Sequence, residues 1–262
     1  MSKIESNNIK IEAWMFRTPN EYWALFLSIL LLIAISSIFS LLNIYIFALA
    51  FVSILIYVKI QQNQFMGNAV RIHGNQFPDL YKIFKEYCTI LEIPKAQLFV
   101  KQDPTLNAFT IGVFTPTVVL TSSLVDQLTE EEINFVIAHE LGHIKAKHNL
   151  ILSFTNPLGL NTIWGSLIFA FWQRKAEYTA DRCGLALTKN INTGVTSLIK
   201  LAVGGNLFDK IDIKGYALQV KKADNRWVKL SELLVDHPFI ANRVKALISF
   251  YKENFRPKIA LQ

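Results

Sequence analysis

A chain of 262 residues can bury a full hydrophobic core and still carry an appendage, and two cysteines far apart exclude a disulfide-stapled scaffold. With 52% hydrophobic and only 18% charged residues, it lies at the apolar edge for a soluble globule, where about 25% charged is typical. The net charge of +7 comes from scattered Lys and Arg without any recognition motif, which argues against nucleic acid and suits anionic lipid head groups.

The apolar excess is concentrated near the N-terminus, where residues 24–58 contain no Asp, Glu, Lys or Arg. A single helix of that length would measure roughly 50 Å against a hydrocarbon core of about 30 Å. Two spans, 22–39 and 41–58, fit better than one strongly tilted span, and a cleaved signal peptide would be far shorter. Lys3, Lys10 and Arg17 precede the first span, Lys59 and Arg71 follow the second, and the turn between them is uncharged. Both ends of the hairpin therefore favour the cytoplasmic side of the cell (inner) membrane, with Trp14, Tyr22, Trp23 and Tyr57 at interfacial depths. This divides the chain into a juxtamembrane segment (1–21), a transmembrane hairpin (22–60) and a C-terminal domain (61–262).

Residues 61–75 are polar and read as a linker into that domain. Leu80, Ile83, Phe84, Tyr87, Cys88 and Leu91 then recur at helical spacing, which predicts a helix over 78–91. Three β-rich runs follow, at 97–100, 108–113 and 117–120, separated by Asp103-Pro104 and Thr115-Pro116; they predict a small sheet. Thr129 with Glu132 makes a capping box that opens a helix expected to reach about Phe154. A second long helix is expected from near Leu160, and a last one over 239–253. Cys88 and Cys183 both fall in helical patterns and read as buried thiols.

The helix opened by Thr129 contains His139-Glu140-Leu141-Gly142-His143. Histidines at i and i+4 share one helical face, so both imidazoles reach a single metal ion. Glu140, about 100° round the helix, flanks that metal and can act as general base toward a water beside it. The surrounding residues are apolar, and burying these three side chains there is costly unless something satisfies them. Ala146 and Asn149 exclude a third histidine of the metzincin type. His148, five residues after His143 on a continuous helix, should face away from the metal. The remaining ligand is expected to be a carboxylate on the later helix. Glu177 completes a His₂Glu set with an open fourth position, and Asp181, one turn on, can fix a ligand histidine's tautomer. The alternative for that pair is surface ion pairing with Arg174 and Arg182.

HELGHIKAKH followed by AEYTAD resembles the HtpX-type membrane zinc metallopeptidases, relatives of the CAAX prenyl endopeptidases within the gluzincins. LNAFTIG (106–112), TSSLVDQLTEEEINFVIAHE and DHPFIANRV (236–244) are similar to further segments of that family, in the same order, from about Gly67 to Leu247. The resemblance implies one zinc ion per chain on His139, His143 and Glu177, with Glu140 as general base and Asp181 in support. It implies that Asn107, Ala108 and Phe109 border the cleft where an extended substrate pairs. It also implies that His237 stabilises the oxyanion while Arg243 helps place it. Many family members have two further spans before the glutamate helix. Here residues 149–172 are uncharged but broken by Asn156-Pro157, and a membrane-dipping or buried turn is expected instead.

The expected fold is α+β: a mostly helical, zincin-like metallopeptidase domain with a small sheet, preceded by the hairpin. The expected function is a membrane-anchored zinc endopeptidase acting on misfolded or membrane proteins, without ATP because no P-loop occurs. A prenyl-peptide endopeptidase and an inactive zinc-binding membrane scaffold are the alternatives. Substrate protein or peptide and the lipid bilayer are the expected partners; oligomeric state is left open.

Overall fold

A computed structural model describes residues 11–38, 44–155, 163–212, 215–216, 218, 231–232 and 238–255. The chain enters through a short helix α1 (Ala13–Phe16) and continues as α2 (Glu21–Ile38) and α3 (Ile44–Asn68), two apolar helices where the hairpin was expected. Among the described residues no helix is long and apolar enough to cross a membrane. Helix α3 does not stop at residue 60 but continues to Asn68 and leads directly into strand β1 (Ala69–Arg71). The expected linker is therefore structured. The Gln62 side-chain amide donates to the Thr115 carbonyl at 2.7 Å, which ties α3 to the sheet and replaces the turn chemistry a linker would show.

Pro at the start and an amphipathic face give α4 (Pro78–Ile90), and the three predicted β runs form β2 (Gln97–Lys101), β3 (Ala108–Ile111) and β4 (Thr117–Thr121). The strand order is β1-β2-β4-β3. Strands β2 and β4 are parallel, the other neighbours antiparallel, and β4 is buried along its whole length, as a central strand should be. That leaves β3 at the edge.

A short helix α5 (Ser122–Gln127) precedes α6 (Glu130–Lys145), whose N-terminus carries the complete Thr129/Glu132 capping box. The apolar side of α6 closes over the sheet, with Val136, Ile137 and Leu141 against Val118, Leu120 and Phe84 in the main core. Helix α6 is shorter than expected. It ends at Lys145, Lys147 adopts a left-handed conformation (φ 65°), and a new helix α7 (His148–Thr155) begins at once. Helix α8 (Ile163–Thr188) then packs along α6, followed by α9 (Ile191–Val203), α10 (Gly205–Phe208) and α11 (Ile240–Asn254). Trp172 and Phe169 of α8 are buried with Ala24 of α2, so the base of the first apolar helix is part of the fold. Part of the uncharged 149–172 stretch is thereby buried: Asn149 donates to the Gly112 carbonyl at 2.8 Å, whereas 156–162 lie outside the described residues. Cys88 and Cys183 are free and buried, and burial raises both thiols, Cys88 to about 11.

Candidate metal centre and catalytic cleft

His139 and His143 project from α6 toward Glu177 on α8. The two Nε2 atoms are 3.2 Å apart, and Glu177 places one oxygen 3.6 Å from His139 and the other 3.5 Å from His143. One donor atom from each of the three residues lies within 4.8 Å of the other two, and all three side chains are buried. The spacing follows from a close helix contact. A Cβ on Gly142 would lie 2.7 Å from the Cβ of Cys183, so α6 and α8 approach more closely than a side chain there would allow.

Both histidines have a polar partner beside their far nitrogen. Asp181 Oδ1 lies 3.0 Å from His139 Nδ1, near in distance but imperfectly aligned, since that nitrogen lacks a well-formed hydrogen bond. His143 Nδ1 is 3.0 Å from His148 Nδ1. With Nδ1 carrying the proton in each ring, the Nε2 lone pairs and the carboxylate converge on one point away from water. Such donors repel one another unless a cation lies among them, so these residues fit a metal ion. Two imidazoles and one carboxylate are also the donor set of an open, catalytic zinc site.

Arg243 from α11 backs the carboxylates. It donates from Nε to Asp181 Oδ2 (2.9 Å) and from Nη2 to Asp181 Oδ1 (2.7 Å), and its Nη1 is 3.2 Å from Glu177. Burial opposes ionisation of Asp181, but the Arg243 guanidinium overcomes it and holds the carboxyl below its ordinary value. Burial likewise opposes charge on His143, and the facing Glu177 carboxylate more than offsets it, raising the imidazole. Arg243 was expected beside the substrate. It lines the cleft, and its described contacts run to the two carboxylates, so the geometry makes it a support for the site as well.

The cleft in front of these residues has a volume of about 210 Å³ and is lined by Asn107, Ala108, His139, Glu140, Glu177 and Arg243 among others. Phe109 does not line it; its side chain, alternating to the other side of β3, packs on Phe65 of α3 at 5.8 Å. His237 lies outside the described residues. Three residues that bear on the site escaped the sequence. Thr110 on β3 donates its hydroxyl to Glu140 Oε2 at 2.7 Å. His148 does not face away, because the break at Lys147 turns it back against His143, and it is only 1% exposed. Burial pushes its imidazole down to about 4, so it is neutral. Glu21, at the start of α2, accepts from His148 Nε2 at 2.9 Å. The histidine was visible in the motif, but nothing local announced the turn that redirects it.

Residues 75–167 and 158–250 match the pattern of peptidase family M48. The chain belongs to that family. Among M48 relatives, it is 34% identical over 173 residues to the plastoglobule-localized metallopeptidase 48 of Arabidopsis thaliana, covering 61% of this chain and 50% of the relative. It is 26% identical over 228 residues to a protease HtpX homolog of Streptococcus equi subsp. equi, covering 70% of this chain and 76% of the relative. The chain thus spans half the length of the first relative and about three quarters of the second. The crystal structure of S. mikatae Ste24p shares the fold with a TM-score of 0.56 at 18% identity, over 78% of this chain and 57% of that one. The family resemblance read from HELGHIKAKH and AEYTAD is borne out, and this member of family M48 has a mostly helical fold with a small mixed sheet.

Proposed function

We propose that the chain is a zinc endopeptidase that cleaves extended segments of misfolded or membrane proteins at a membrane surface. The observation that carries the reading is the convergence of His139, His143 and Glu177 beside a Glu140 carboxylate that opens on the cleft. What zinc supplies when held by those three residues is polarisation of the scissile carbonyl and a lowered pKa for the water beside it. Glu140 takes a proton from the attacking water as its oxygen bonds to the carbonyl carbon. It then returns that proton to the amine nitrogen as the C–N bond breaks. Thr110 fixes one Glu140 oxygen and leaves the other for this transfer. The edge strand β3 offers its backbone to an extended substrate, with Asn107 and Ala108 at the cleft. By family resemblance, His237 would donate to the developing oxyanion. Asp181 and Arg243 hold the ligands in place.

Membrane anchoring rests on exposed apolar surface. Phe26, Leu27, Leu30 and Ile33 on α2, with Leu49 and Ile56 on α3, are more than half exposed. Large apolar side chains exposed in this number along two helices mark a surface for a membrane or a partner. Helix α2 is about 27 Å long at 1.5 Å per residue, slightly short of the hydrocarbon core. We infer a hairpin of α2 and α3 embedded from the cytoplasmic side. Recovery of the chain in the alkaline-washed membrane fraction supports this, and release into the supernatant would refute it.

The deciding experiment follows cleavage of an unfolded protein by the detergent-purified chain with zinc, beside its Glu140→Gln variant. The variant is expected to lose about 10²–10⁴-fold in rate while retaining zinc. Equal cleavage by both proteins would remove Glu140 from the reaction. Bound zinc with no cleavage by either would favour the scaffold alternative, and a wild-type chain that binds no zinc would overturn the metal centre.

A further inference from the structure

Resting on the metal reading above, we propose that Glu21 is a positioning residue for the metal centre, acting through His148 on His143. The three side chains form one buried line. Glu21 Oε1 is 2.9 Å from His148 Nε2, and His148 Nδ1 is 3.0 Å from His143 Nδ1. They are 2%, 1% and 5% exposed. With both imidazoles neutral, one proton arrangement satisfies the line. A carboxylate can only accept, so His148 carries its proton on Nε2 and donates to Glu21. Its Nδ1 is then an acceptor, so His143 carries its proton on Nδ1 and donates to His148. The Nε2 of His143 is left as a lone pair aimed at His139 and Glu177, the tautomer a metal ligand needs.

The rest of the neighbourhood fixes the origin of the line. Arg17 donates to the same Glu21 oxygen, and the Thr179 hydroxyl of α8 bonds to the other. Thr18 anchors the turn before α2 by donating its N–H to Thr179 Oγ1 at 2.9 Å and its hydroxyl to the Lys175 carbonyl at 3.1 Å. Trp172 packs edge-on against the His148 ring, with centroids 5.8 Å apart. The two ligand histidines are thus supported from opposite sides. Asp181, on the same helix as Glu177, serves His139; Glu21, from the foot of the first apolar helix and 127 residues from His148, serves His143. The seating of α2 on α8 is thereby linked to the readiness of one metal ligand.

The test uses the full chain in detergent, stripped of metal and titrated with zinc against a chelating dye, with thermal unfolding followed in parallel. His148→Phe removes the acceptor for His143, and Glu21→Gln removes the charge at the head of the line while keeping its shape. Each is expected to weaken zinc binding by about 10–100-fold. His148→Asn, whose Oδ1 can stand near the position of Nδ1, should recover most of the loss seen with Phe. Because Glu21 acts through His148, the double variant Glu21→Gln/His148→Phe should bind no more weakly than His148→Phe alone. Lowered unfolding temperatures with wild-type zinc affinity would overturn the proposal and reduce the line to a staple for α2. So would an undiminished effect of Glu21→Gln in the double variant. Should His148→Phe fail to fold, the near-isosteric Glu21→Gln still decides through its own affinity. A wild-type chain without zinc affinity would instead sink the metal reading, and this inference with it.

Discussion

Arg243 holds Asp181 through two hydrogen bonds of 2.9 and 2.7 Å, the fork of a guanidinium matched to both oxygens of a carboxylate. Its remaining nitrogen faces Glu177, so one buried cation compensates two buried acids. Removing one partner of such a group leaves uncompensated charge and costs about 3–5 kcal/mol. Arg243→Ala is expected to lose that much stability and to lower turnover, because Asp181 can no longer hold His139. Arg243→Lys keeps the charge without the fork and should fall between. Thermal unfolding and peptide turnover check this; a lysine variant equal to wild type in both would show that the fork is dispensable.

The approach of α6 to α8 depends on Gly142. An added Cβ would meet Cys183 Cβ at 2.7 Å and Ala180 Cα at 3.3 Å, one backbone and one stiff side-chain neighbour. Gly142→Ala should cost about 1–3 kcal/mol by overpacking. The helices must separate, and Glu177 on α8 then moves from His139 and His143 on α6. Weaker zinc binding should accompany the loss of stability, and Cys183→Gly in the same chain should restore part of both. Unchanged zinc affinity in Gly142→Ala would mean that the ligands tolerate the displacement.

Much of this site was legible because its chemistry is local. His139, Glu140 and His143 lie within one helical turn and a half, and the Thr129/Glu132 box fixes where that helix starts. Glu177 and Asp181 share a face for the same reason, and the three β runs were bounded by prolines. What was not legible depends on contacts between distant segments. Strand β1 is recruited by pairing with β2, which no alternation in Ala69-Val70-Arg71 foretells. The stop at Lys145 relies on Lys147, a non-glycine residue in a left-handed conformation, and residues 145–149 contain neither Gly nor Pro. Redirection of His148 follows from that stop, and its partner Glu21 looked like the edge of an apolar segment.

Thr110 is the least conspicuous of the residues that touch the site. Its hydroxyl donates to Glu140 Oε2 at 2.7 Å from strand β3, whose Ala108 lines the cleft. Thr110→Val keeps the shape and β-branching but removes the donor, so the Glu140 carboxylate, the proposed general base, is no longer held in one rotamer. Turnover should fall about tenfold, in the range for a lost hydrogen bond to a charged group, with little change in KM or zinc content. A raised KM with unchanged kcat would assign Thr110 to substrate binding instead.

The N-terminus of α6 carries a pH-dependent contribution that is separate from the metal. Glu132 accepts from the Thr129 backbone N–H at 2.9 Å and from Lys200 Nζ at 2.8 Å. Burial alone would raise its carboxyl, but the Lys200 ammonium and the capping N–H hold it below its ordinary value of 4.5. A group depressed in the folded state stabilises the fold above its unfolded pKa, and that stabilisation fades as pH falls through the folded value. Stability from this contact should therefore be complete at neutral pH and decline progressively below about 4.5. Glu132→Gln is expected to be weaker by about 1–3 kcal/mol at pH 7 and to lose less on acidification, so the two stability curves converge. Denaturant unfolding of both proteins from pH 7 to pH 3, each free of metal so that protonation of the ligand histidines cancels, measures the difference. Parallel curves would show that Glu132 caps the helix without being held below its ordinary value.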